Sequence, residues 1–209
     1  LATISFINGG ISKEKAVLYL QRALSRGYFK AASTLGEIYS LGLYGIESNQ
    51  AIAFKFYKIS AKCGDLESCY WLGDYYLANN DIYYASVWFK EASDTGDDIG
   101  TSLLAKCYFE MSIDLGSFMK VEAFRLLNLL IGKDFTPALY DASFMYYKGL
   151  YGIEVDYELA FEYMKKAADL DFSLSFEMLS IYYKEGVGVE VDMEKSEYYS
   201  KKYEDSLIM

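Results

Sequence analysis

Residues 134–156 read DFTPALYDASFMYYKGLYGIEVD, and the fold follows from how that stretch recurs along the 209-residue chain. Counting from Asp134, offsets of 4, 8, 9 and 12 reach Ala138, Ala142, Ser143 and Tyr146. These offsets share one helical face, which predicts a helix with small residues where a neighbour comes close and one buried tyrosine. Thr136-Pro137 suits its start, as N-cap and first helical position. Beyond it, Gly149-Leu150-Tyr151-Gly152-Ile153-Glu154-Val155-Asp156 supplies glycines for a left-handed helix exit and an aspartate to cap the next helix.

Working outward, the same offsets from Asp171 give Ser175, Leu179, Ser180 and Tyr183, and from Gly27 they give Ala31, Leu35, Gly36 and Tyr39. From Gly64 come Ser68, Leu72, Gly73 and Tyr76, and from Gly96 come Gly100, Leu104, Ala105 and Tyr108. The five markers are therefore 37, 32, 38 and 37 residues apart. Each is expected in the left-handed backbone region, which glycine adopts freely and aspartate tolerates. A second helix precedes each marker, as in Ala16, Tyr19, Ala23; Ala53, Phe56, Ala61; Ala85, Trp88, Ala92; Ala123, Phe124, Leu127; and Ala160, Tyr163, Ala167, with Ser196 and Tyr199 closing the series. The exit loop also repeats, as Gly42-Leu43-Tyr44-Gly45-Ile46-Glu47 and as Gly186-Val187-Gly188-Val189-Glu190-Val191-Asp192.

Helices are accordingly predicted near 12–25, 28–40, 49–62, 65–78, 81–94, 97–111, 119–131, 135–148, 156–169, 172–185 and 192–205. They make five complete pairs after a lone N-terminal helix, with residues 1–8 read as the remnant of its partner. The units run 1–26, 27–63, 64–95, 96–133, 134–170 and 171–209, in one domain spanning 1–209. One pair cannot bury its apolar face alone, so an all-α, right-handed α/α superhelical solenoid is expected.

The pattern small-x3-Leu-Gly-x2-Tyr, then Gly-x-Gly-Val or Gly-x2-Gly-Ile, then Asp or Ser before an Ala-x2-aromatic helix, resembles the Sel-1-like repeat, a tetratricopeptide-like family with a longer glycine-rich loop. The resemblance spans residues 9–205 and is strongest over 135–205. It weakens over 65–132, where Leu77-Ala78-Asn79-Asn80-Asp81 and Ser112-Ile113-Asp114-Leu115-Gly116 replace the loop. It implies an adaptor that holds a protein or peptide on the concave surface of its first helices, and it does not imply catalysis. Some bacterial members stand beside secreted toxins, so an immunity or inhibitor role that neutralises a toxin is a narrower form. A few cysteine-rich relatives have been proposed to bind or hydrolyse β-lactams. Here that reading has only Ser12-Lys13-Glu14-Lys15, which matches Ser-x-x-Lys by letters and reads as a helix N-cap.

Composition narrows the chemistry. The chain has no histidine, so the usual general base, the Ser-His-Asp and Cys-His arrangements and the commonest metal ligand are all missing. No cofactor or metal is expected, and the protein reads as a non-enzyme. Any two of the 30 acidic residues could face each other as a glycosidase pair, which makes such a signal nearly worthless. The glycine loops lack the Gly-Lys-Ser/Thr ending of a phosphate cradle. A net charge of -10 opposes nucleic acid. No apolar run is long enough to span a membrane and residues 1–10 lack a signal-peptide pattern, so a soluble chain of open compartment is expected, cytoplasmic or, if a leader has been removed, periplasmic or secreted.

Offsets 3, 6, 10 and 13 of each first helix are expected to face inward. They nominate a partner-binding groove of Glu67, Tyr70, Asp74, Ser102, Lys106, Phe109, Tyr140, Phe144, Tyr147 and Glu177. The alternative is that tight curvature packs those rings against neighbouring helices. Residues 63–114 carry 10 acidic and 2 basic side chains, which suits a basic partner or keeps an aromatic-rich array soluble. The basic Lys13, Lys15, Arg22, Arg26 and Lys30 could meet an acidic partner or another copy. Cys63 and Cys69 flank the Gly64 turn. In the resembled family, cysteine-rich members join their helices near this turn, and two buried thiols are the other reading. Leu207-Ile208-Met209 ends the chain on apolar residues, as end-to-end self-association or truncation would.

Overall fold

A computed structural model describes residues 13–208. Among these the chain forms eleven α-helices: α1 (Lys13–Ser25), α2 (Lys30–Leu41), α3 (Gln50–Ala61), α4 (Leu66–Ala78), α5 (Ile82–Asp94), α6 (Asp98–Leu115), α7 (Ser117–Gly132), α8 (Thr136–Lys148), α9 (Tyr157–Asp169), α10 (Ser173–Glu185) and α11 (Met193–Ser206). Two 3-10 turns, Leu43–Gly45 and Leu150–Gly152, are the repeated exit loops. The expectations for residues 1–8 and for Met209 lie outside the described residues.

The helix ends are set by the marker residues. Gly27, Gly64 and Gly96 have φ of 87°, 85° and 89°, and Asp134 and Asp171 take the same region at 57° and 58°. After α1 the Tyr28 amide donates to the Ala23 carbonyl and the Gly27 amide to Leu24, at 3.1 and 2.9 Å. The same two-bond closure recurs at Asp134-Phe135 and Asp171-Phe172, so free carbonyls of the preceding helix are satisfied without a side chain. At the other turn of the pair, Asn49, Asp156 and Asp192 cap α3, α9 and α11 by accepting from the amides of Ile52, Leu159 and Lys195. Each such cap contributes about 1 kcal/mol. Their own amides donate back to the carbonyls of Tyr39, Tyr146 and Tyr183, which fixes where the second helix starts against the first.

The chain divides into two compact units, Leu1–Cys107 and Tyr108–Met209, with the boundary inside α6. Within the first, α1 packs on α2, α2 on α3, α3 on α4 and α4 on α5; within the second, α7 packs on α8, α8 on α9, α9 on α10 and α10 on α11. Their cores hold the predicted positions: Leu35, Leu72 and Leu179 are 0% exposed, as are Ala53, Ala138 and Ala160. The offset-12 tyrosines stack on second-helix rings, Tyr39 on Phe56, Tyr146 on Tyr163 and Tyr183 on Tyr199, with centroids 5.8 to 5.9 Å apart.

Three local expectations are corrected. The helix predicted to end near residue 111 continues to Leu115, because Met111-Ser112-Ile113-Asp114-Leu115 contains no breaker and Gly116, at φ 85°, ends it. The next helix starts at Ser117, two residues before the predicted 119. At α8 the extended residue is Phe135, so Thr136 is the first helical position and no side chain caps this helix.

Candidate functional site

Side chains that the repeats do not consume in packing are the ones available to a partner. In the first unit Glu37, Glu67, Asp74 and Lys106 are exposed. Tyr70 is half-buried, and its hydroxyl donates to Asp97, whose carboxylate also accepts from the Gly100 amide at 2.5 Å. Burial, then Asp97, pushes the Tyr70 phenol well above its ordinary value. This ring therefore braces the α5–α6 junction. Desolvation raises the Asp74 carboxyl. Ser102, 8% exposed, is enclosed.

In the second unit Phe109 is 3% exposed, edge-on to Phe124 and stacked on Tyr151 at 4.7 Å. The exit loop brings Tyr151 across it, so Phe109 belongs to the core and not to a binding surface. Tyr140 meets Phe172 edge-on at 5.8 Å, and burial followed by Glu177 raises its phenol. Tyr147 packs on Tyr182 and Tyr157, at 5.5 and 5.8 Å. Phe144, 38% exposed, and Glu177 project outward. Lys148 Nζ stands 4.5 Å from the Tyr147 ring centre and 6.0 Å from that of Phe144. The second unit thus brings Tyr140 and Glu177 together and separates an exposed Phe144 from two rings that rest on the core.

The sequence pattern missed a cleft of about 470 Å³ between α2, α3 and α4. Tyr57 and Trp71 form its floor, with ring centres 4.5 Å apart, and Trp71 stacks further on Tyr75 at 5.5 Å. The indole N–H of Trp71 donates to the Ser40 hydroxyl at 3.2 Å. Burial first, then Glu37, pushes the Tyr57 phenol up to about 12, with Ser40 opposing and Glu67 and Asp65 adding to the rise. Lys30 at the rim is paired with Asp65 at 3.4 Å. The signal in the sequence was Trp71 at offset 7, where the other repeats carry Thr34, Leu103, Asp141 and Met178.

The three cysteines are free thiols. Cys63 is exposed, against the expectation that both thiols at this turn are buried; Cys69 is buried, which pushes its thiol up to about 11, with Glu91 adding to the rise. Among the described residues no group of three or more Cys, Asp or Glu gathers as a metal-ligand set, and no helix is long and apolar enough to cross a membrane.

The sequence profile of the Sel1 repeat matches residues 8–28, 30–65, 136–172 and 177–202. The chain belongs to the Sel1 repeat family. Solved structures agree on the fold. A protective antigen of uropathogenic Escherichia coli with this repeat fold superposes with a TM-score of 0.75 at 24% identity, over 97% of this chain and 44% of its own length. This Sel1 repeat chain thus spans less than half of that antigen. A Sel1 repeat protein of Oxalobacter formigenes gives 0.69 at 23% identity, over 96% of this chain and 81% of its own. An immunity protein of Pseudomonas aeruginosa gives 0.56 at 16% identity, over 98% and 81%. No curated protein sequence matches the chain. The Sel1 profile leaves residues 66–135 unmatched, where the glycine loops are missing. Within that stretch α4 and α5 still pack as a pair without the signature.

Proposed function

We propose that this Sel1 repeat protein is a non-enzymatic interaction module that binds a basic protein or peptide through the inward offsets of its first helices. The observation that carries this reading is the division of labour along each first helix. Offsets 4, 8, 9 and 12 are taken up in packing, whereas offsets 3, 6 and 10 leave Glu37, Glu67, Asp74, Phe144 and Glu177 exposed. Exposed carboxylates beside aromatic rings favour a cationic partner through charge attraction and ring contact. A narrower form is an immunity or inhibitor protein that covers a basic toxin; the acidic balance of residues 63–209 and the fold shared with an immunity protein support it.

The test is capture of a stoichiometric partner by the tagged chain from its native host, compared with the double variant Phe144→Ala/Glu177→Gln. The reading expects a partner that the variant holds more weakly and that raised salt releases. Absence of any protein partner would overturn it, and a partner with toxic activity would select the immunity form.

A further inference from the structure

The cleft between α2, α3 and α4 combines two exposed carboxylates with an aromatic floor. Glu37 comes from α2 and Glu67 from α4, and neither carboxylate takes part in a hydrogen bond or ion pair among the described residues. Among the described residues lining the cleft the cation is Lys30, which is paired with Asp65. The Tyr57 and Trp71 rings and Ser40 line the same cleft as the two acids.

We propose that this cleft is a receptor site for an arginine side chain of the basic partner, with the guanidinium held between Glu37 and Glu67 against the Tyr57–Trp71 pair. The proposal rests on the interaction reading above and names the group that the first unit recognises. Three features select arginine over other residues. Two carboxylates supply acceptors for a planar fork of N–H donors. An aromatic floor favours a flat, weakly hydrated cation over a compact ammonium. Ser40 fixes the Trp71 indole, so the floor is held in place before the guest arrives.

Position supports this choice. Tyr57 sits where the other second helices carry Leu20, Phe89 and Met164 in the core. Here a phenol is 8% exposed and stands in the field of Glu37, Glu67 and Asp65. An entering cation offsets that field. It would lower the Tyr57 phenol from its raised value, which gives the site a spectroscopic signature besides affinity.

The experiment uses the whole chain and acetylated hexaarginine amide as probe, with hexacitrulline and hexalysine for comparison, followed by calorimetry and by tyrosinate absorbance against pH. The expected result is binding of hexaarginine that weakens on the order of tenfold in Glu37→Gln/Glu67→Gln. The charge-matched Glu194→Gln/Glu197→Gln on α11 should change it by less than about threefold. Both pairs are exposed, and unchanged melting curves would confirm that the variants fold. Equal loss in the two pairs would mean diffuse attraction to an acidic protein and would overturn the site. Equal affinity for hexalysine would overturn the choice of arginine. A Glu37→Gln/Glu67→Gln chain that still captures the native partner at full strength would remove the cleft and leave the interaction reading intact.

Discussion

A methyl group added at Gly73 would stand 2.2 Å from Cε1 of Phe89, so these two residues mark the closest approach of α4 and α5. Gly36 makes the same approach to Tyr57, at 2.8 Å. In the second unit the offset-9 position is serine. Ser143 donates to the Ala160 carbonyl at 2.6 Å; the Ser196 hydroxyl donates to the Ser180 carbonyl at 2.9 Å and lies 3.2 Å from the Ser180 hydroxyl. This position of the repeat thus sits at the helix crossing, without a side chain at Gly36 and Gly73 and with a hydroxyl bond at Ser143.

Gly73→Ala is expected to destabilise the protein by about 1–3 kcal/mol, because Phe89 is fully buried and cannot swing away. The gain in helix propensity, roughly 1 kcal/mol, offsets only part of this. Urea denaturation measures the difference. A stabilised Gly73→Ala would mean that α4 and α5 do not approach this closely.

Leu179→Ala should cost about 2–5 kcal/mol, since Leu179 is 0% exposed in the cluster with Met164, Phe176 and Tyr182. An unchanged denaturation midpoint would break the repeat register on which the helix pairing rests.

Asp65→Ala removes the cap of α4 and should cost about 1–2 kcal/mol at neutral pH. Burial pushes the Asp65 carboxyl up, but the Ser68 hydroxyl and amide, and Lys30, outweigh it and hold the group below its ordinary value. The folded pKa is therefore the lower one. Its stabilisation is present above the unfolded value of about 3.9 and is lost as pH falls through the folded value. Denaturation curves of wild type and variant should converge in acid; a constant gap would show that the charge contributes nothing.

Phe144→Ala alone should leave the melting temperature within about 2 °C, as an exposed substitution does. Tyr147→Ala should lower it more, because its ring packs on the buried Tyr182. The triple replacement of Tyr140, Phe144 and Tyr147 therefore mixes folding with binding. Thermal scans of the single variants separate the two, and an equal shift for both would deny the difference in their packing.

The fold was legible because the repeat writes its backbone requirements in residue types: a glycine or aspartate at φ > 0, a small residue at the crossing, a tyrosine stacked on the following helix. Asp134 and Asp171 could be read as stand-ins for glycine on chemistry alone. The site was less legible. Inward offsets do not reveal when a loop folds over them, and Tyr151 covers Phe109 from 42 residues away. The cleft escaped because its two rings come from different helices, and the pairing of Tyr57 with Trp71 occurs in one repeat, other repeats carrying Leu, Phe or Met at the first position and Thr, Leu, Asp or Met at the second.

The bonds from the Asn49, Asp156 and Asp192 amides to the tyrosine carbonyls nine or ten residues earlier have a kinetic consequence. Loops of this size close in roughly 10–100 ns, and contacts so local in sequence favour fast folding. Each tyrosine-to-cap hairpin can serve as a nucleus without waiting for its neighbours. Pulse-labelled exchange should then find these three amides protected early, in both units at once, before the helices between them complete their stacking.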